Sequence, residues 1–91
     1  MLVLPAELTH AQAPACAAML RATLRAQAGE GVVVDASALQ HFDSSALAVL
    51  LDCRREALAV QRTFSVYGLP QRLASLAGLY GVAALLPAAA A

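Results

Sequence analysis

The chain has 91 residues, which at about 100 to 200 residues per domain allows a single domain. Six basic and six acidic side chains cancel, so there is neither the cationic excess that neutralises nucleic-acid phosphates nor a polybasic membrane patch. Apolar residues make up 60 % of the chain but aromatics only 4 %, and alanine accounts for much of the difference, so the core rests on Leu and Val clusters and a large internal substrate cavity is not expected.

A membrane-spanning helix needs about 20 mostly apolar residues. The apolar stretches of the first half and the middle are interrupted by charge, at Arg21 and Arg25 and at Asp52, Arg54, Arg55 and Glu56. The N-terminus lacks the cationic start and apolar core of a secretory signal, so a cytoplasmic location is expected. Cys16 and Cys53 lie far apart with no C-x-x-C pair and no histidine at ligand spacing, and are read as buried free thiols.

Leu2 to Leu4, halted by Pro5, reads as a short buried strand. Pro14 fits the first turn of a helix in which Cys16, Leu20 and Leu24 recur on one face while Arg21 and Arg25 point away; its end is placed near Ala28, with Gly29 as the stop. Val32 to Val34, closed by Asp35, is continuously apolar, the pattern of a strand covered on both faces. The following loop, through His41 and Phe42, is the most polar in the chain, and His41 and Phe42 are expected to anchor it.

The next helix carries the most information. At about 100° per residue, Leu47, Leu50, Leu51 and Leu58 share a face with Ala46, Cys53 and Ala57 beside them, and this is the expected core stripe. Arg54 projects into that stripe, with a stem long enough to snorkel past its edge. The opposite arc carries Ser44, Ser45, Ala48, Val49, Asp52, Arg55, Glu56 and Ala59 and is expected to face outward. Thr63 to Tyr67 reads as a further strand, Gly68 as a turn, and Pro70 as the start of a helix with Leu73, Leu76 and Ala77 inward. Tyr67 and Tyr80 are expected in the boundary layer, and residues 87–91 as a disordered tail. Strands and helices alternating at short spacing define an α/β domain with parallel neighbours.

Asp43, Ser44 and Ser45 stand just before the Leu-rich helix, with Asp43 placed to cap it. Capping alone explains these residue types. A second reading is electrostatic: a helix N-terminus tolerates added negative charge, so a phosphate on Ser44 would be held by free backbone N–H groups and would make the patch shared with Asp43 and Asp52 strongly acidic.

The run V-V-V-D-A-S-A-L-Q-H-F-D-S-S-A-L-A-V-L-L, Val32 to Leu51, resembles the core signature of the STAS domain, named for sulfate transporters and anti-sigma-factor antagonists. L-T-H at Leu8 to His10 and Y-G-L-P at Tyr67 to Pro70 are similar to flanking parts of that family, and L-A-G-L-Y-G-V-A-A-L-L-P, Leu76 to Pro87, to its MlaB-like branch. Ala46 stands where the family usually has glycine. Many members also carry an additional upstream strand, so the first strand here is expected to leave an exposed or partner-covered edge.

The resemblance implies a small α/β sandwich over residues 1–91, a mostly parallel or mixed sheet of about four strands with helices mainly on one face. It also implies a non-catalytic binding module without metal or cofactor. In MlaB-like proteins the helix after the Asp-Ser loop docks on the ATPase subunit of an ABC transporter that moves phospholipids between Gram-negative membranes, and through it reaches the permease at the inner membrane. Carried over, Asp43 and Ser44 would centre the contact, and Ser45, Ala48, Val49, Asp52 and Arg55 would extend it. The alternative within the family is an anti-sigma-factor antagonist phosphorylated on Ser44 by a partner kinase. Nucleotide binding, proposed for some STAS domains, has no phosphate-loop motif and no lysine to support it. A hydrolase built on Ser44 with His10 or His41 lacks the G-x-S-x-G elbow.

Overall fold

The computed structural model describes residues 1–27, 29 and 31–89. Its elements, in chain order, are β1 (Leu2–Val3), β2 (Glu7–Leu8), α1 (Ala13–Ala26), β3 (Gly31–Asp35), β4 (His41–Phe42), α2 (Ser45–Ala59), β5 (Thr63–Tyr67), α3 (Gln71–Leu79) and a 3-10 turn at Ala83–Leu85. The main sheet is wholly parallel in the order β1-β3-β5, with Leu2 opposite Val34 and Val34 opposite Val66. Parallel neighbours need crossover connections, and α1 and α2 supply them. A second parallel pair, β2 with β4, places Glu7 opposite His41 and Leu8 opposite Phe42. His41 and Phe42, read from sequence as part of a loop, are thus a strand.

Alternation along the strands decides which sheet face is covered. Leu2, Val32, Val34, Phe64 and Val66 are buried in one continuous core with Cys16, Leu20 and Leu24 of α1, Leu47, Leu50 and Cys53 of α2, and Leu73 and Ala77 of α3. Val3, Tyr67 and the partly exposed Val33 and Ser65 occupy the intervening positions. The sheet is therefore open on one face, which corrects the inference that Val32 to Val34 is covered on both. Val33 remains favourable in the strand because β-branched side chains suit a pleated surface whether or not it is buried.

Helix ends are fixed by local chemistry. Before α1, the Gln12 side chain accepts from the Thr9 backbone N–H at 2.9 Å and from its hydroxyl at 2.7 Å, which closes the turn leading into the helix, and Pro14 lies in the first turn. α1 ends at Ala26, so the end expected near Ala28 falls on a residue outside those described. Helices α2 and α3 both end in a Schellman motif. In α3, Gly81 takes the left-handed position (φ +73°), its N–H donates to Gly78 O, and Val82 N–H donates to Ala77 O. In α2 the same position is held by Gln61 (φ +60°), with Gln61 N–H to Leu58 O and Arg62 N–H to Ala57 O.

The C-terminal segment differs from expectation. Val66 N–H donates to Pro87 O at 2.8 Å, Ala89 N–H donates to Val66 O at 2.9 Å, and Ala88 forms a parallel bridge with Val66. Residues 87–89 are held along β5 and are not a disordered tail; Ala90 and Ala91 lie outside the described residues. Pro and Ala carry little strand signal, but pairing at one residue requires only backbone groups.

Candidate functional site

The loops following β3 and β5 meet at the C-terminal end of the sheet. Gly68 (φ +69°) packs so closely on Ser37 that a Cβ there would lie 2.8 Å from the Ser37 Cβ. Asp35, the last residue of β3, accepts at Oδ1 from the Ser37 hydroxyl (2.6 Å) and backbone N–H (2.9 Å), and these bonds hold its carboxyl below the ordinary aspartate range. Phe42 is half-buried against the core, with the Arg72 guanidinium 5.1 Å from its ring centroid.

The chain then enters α2 through Asp43. Its Oδ2 accepts from the His10 backbone N–H at 3.1 Å and its Oδ1 from the Ser45 N–H at 2.8 Å; these two bonds, His10 first, hold its carboxyl below the ordinary range. The residue at the N-cap position is Ser44, not Asp43, and it has helical dihedrals and no side-chain capping bond. Asp43 still serves an orphan N–H of the first turn, from one residue further back than expected. Its more distinctive role is to tie the turn before α1 to the start of α2. Ser44 is left exposed with its hydroxyl free of any capping role.

Helix α1 packs along α2, and this changes how the arc of α2 is read. A groove of about 300 Å³ runs between the N-terminal halves of the two helices, walled by His10, Ala13, Pro14 and Ala17 on one side and Ser45, Ala48 and Val49 on the other. Ala48 is exposed and Ser45 partly so, but Val49 is only 3 % exposed and belongs to the core. Val49 is thus corrected from the outward arc to the interior. Asp52 is also largely covered: Oδ2 pairs with Arg21 Nη1 of α1 at 2.7 Å and Oδ1 with Arg55 of α2. Arg55 remains exposed, and Arg25 reaches Glu56 at 3.9 Å. At the far end of α2, Leu58 is 46 % exposed, outside the core stripe assigned to it, while the adjacent Ala57 of the same turn is fully buried. Arg54 is half-buried.

Of the seven residues singled out for partner contact, Asp43, Ser44, Ser45, Ala48 and Arg55 therefore offer accessible surface, Asp43 and Asp52 also orient their neighbours, and Val49 supports them from inside. Sequence reasoning missed the contribution of α1, whose Ala13, Pro14 and Ala17 form half the groove. The signal lies in the i, i+4 spacing of the small residues Ala13 and Ala17 on one face of α1. Both cysteines are buried; burial raises the Cys16 thiol, and burial followed by the Asp52 charge pushes Cys53 up to about 11. Among the described residues, no group of three or more His, Cys, Asp or Glu side chains is arranged to hold a metal ion, and no helix is long and apolar enough to cross a membrane.

A parallel α/β sheet with its helices on one face, and a Ser-bearing loop leading into the central helix, defines a STAS-type domain. The family model described as the MlaB STAS domain matches residues 1–87, and the chain belongs to that MlaB-like STAS family. A comparison with curated proteins gives no match.

Proposed function

We propose that the protein is a non-catalytic accessory subunit that binds the ATPase subunit of a phospholipid-transporting ABC transporter, using the Asp43-Ser44-Ser45 loop and the accessible part of α2. The observation that carries this reading is the exposed, uncommitted Ser44 beside an apolar groove in a domain of the MlaB-like family. Small side chains at Ser45 and Ala48 leave room for another backbone to approach closely. His10 meets the loop through its backbone N–H, a structural bond to Asp43 and not a proton relay to Ser44. In this reading the protein resides in the cytoplasm and is held near the inner membrane only through its partner.

The test is a calorimetric titration of the full chain with the ATPase subunit encoded by the same organism. Ser44→Ala is expected to weaken binding, and Ala48→Glu to abolish it while leaving the melting temperature unchanged. Undiminished affinity in both variants rejects the proposed surface.

The exposure of the Ser44 hydroxyl at a helix N-terminus favours one second reading, an anti-sigma-factor antagonist switched by phosphorylation at Ser44. Intact-mass measurement on protein from its native host separates the two: a phosphorylated fraction that disappears in Ser44→Ala supports the switch.

A further inference from the structure

The seam between α1 and α2 changes character along its length. Positions recur every three or four residues on each helix: Ala13, Ala17, Arg21 and Arg25 on α1, and Ser45, Ala48, Asp52 and Glu56 on α2. The N-terminal half is the apolar groove. About one helical turn further on, roughly 5 to 6 Å along the axis, the seam becomes a double row of ion pairs.

Those pairs are not symmetric toward solvent. The Asp52 and Glu56 side chains are 19 % and 26 % exposed, whereas those of Arg55 and Arg25 are 75 % and 69 % exposed. Three guanidinium groups, those of Arg21, Arg25 and Arg55, face two carboxylates, and the carboxylates lie underneath. A molecule approaching the seam therefore meets positive charge beside an apolar hollow.

We propose that groove and ridge are read together, by a protein segment that presents an aliphatic side chain and a carboxylate about one helical turn apart. The aliphatic group enters the hollow over Ala17 and Ala48, and the carboxylate pairs with the exposed guanidinium of Arg55. This rests on the reading that the partner is the ATPase subunit and specifies the chemistry that its contact surface must carry. A second copy of this chain does not fit, because it would bring arginine ridge against arginine ridge. An anionic lipid surface fits less well: the ridge carries one net positive charge, and membrane attraction supplies only about 1 kcal/mol per basic residue. A hollow sized for a side chain adds nothing to that attraction. The expected complex is steered by charge and held by the apolar insertion, so charge and volume can be tested separately.

The experiment titrates the full chain, as wild type, Arg55→Glu and Ala48→Leu, with the cognate ATPase subunit at low and high salt (about 0.05 and 0.3 M). Flotation with vesicles of phosphatidylglycerol and phosphatidylethanolamine runs in parallel. Support consists of a loss of about tenfold or more in each variant with unchanged melting temperature, and a flatter salt dependence in Arg55→Glu. If the wild type binds and neither variant weakens it, the seam proposal falls while the ATPase-subunit reading stands. If the wild type does not bind, both fall. Flotation of the wild type that Arg55→Glu abolishes, without loss of affinity for the subunit, overturns the proposal in favour of a membrane contact. Should Ala48→Leu prove unstable, the exposed Arg55→Glu variant still decides the charge half.

Discussion

Arg62 Nη1 donates to the carbonyl of Leu24 at 2.9 Å, so the residue that follows the C-terminus of α2 also closes the C-terminus of α1. A second bond from the same nitrogen reaches Gln27 O at 3.3 Å, while the Arg62 backbone N–H is already engaged with Ala57 O. One residue thereby satisfies carbonyls of both helices and places a fixed positive charge at the negative end of α1. Its Nε is buried without a partner, beside Nη1 and Nη2, which reach the carbonyls of Leu24, Gln27 and Gly31.

Replacing Arg62 with Met keeps much of the packing stem and removes those bonds. The expected loss is about 1.5 to 3 kcal/mol of stability, the range for hydrogen bonds to charged groups. Urea unfolding measures it. A variant with the wild-type midpoint would show that water satisfies the α1 carbonyls equally well.

Gln61 adopts a left-handed conformation that costs an L-residue about 1 to 2 kcal/mol, where α3 uses Gly81. Gln61→Gly is expected to stabilise the protein by about 0.5 to 1 kcal/mol after the greater flexibility of glycine in the unfolded chain is subtracted. The complementary change, Gly81→Ala, is expected to destabilise by about 1 kcal/mol. Opposite shifts of the two denaturation midpoints check the argument; shifts of the same sign contradict it.

The carboxyls of Asp35 and Asp43 lie below their ordinary values, each held there by hydrogen bonds to its charged form. The folded state therefore binds these protons more weakly than the unfolded state. Their contribution is complete above the unfolded value of about 3.9 and is lost as pH falls through the lower native values. The melting temperature should hold steady from neutral pH to about 5 and decline below about 4. In Asp43→Asn part of that decline should disappear, and an identical acid limb in both proteins would argue against the assignment.

Cys53 is buried and its thiol is pushed up to about 11, so almost none is thiolate at neutral pH. Aromatic disulfide reagents should modify it slowly in the native protein, at a rate set by opening of the α1 and α2 core, and promptly in denaturant. Prompt labelling of native protein would place the thiol outside the core.

What could be read from the residues, and what could not, follows the length of each signal. Val32 to Val34 and Thr63 to Tyr67 are long enough for β-branched and aromatic composition to identify strands, and Leu47, Leu50 and Cys53 mark a helix face by their period. Two-residue strands such as Glu7–Leu8 and His41–Phe42 contain no period, so their pairing was invisible. Val49 was misplaced because a helical wheel considers one partner surface. Here α2 packs against both the sheet and α1, and the buried arc is wider than a single leucine stripe. The motif at Asp43 to Ser45 was legible, but the bond from His10 joins positions 33 apart and no local pattern announces it.

The pairing of residues 87–89 with Val66 gives the main sheet unequal borders. On the β5 side, backbone groups at Val66 are already taken; on the β1 side, no neighbouring strand is present among the described residues. At Val66 the β5 border cannot accept another strand without first releasing residues 87–89, whereas nothing has to be displaced at β1. Backbone pairing with another chain therefore meets less resistance along β1 than at the middle of β5.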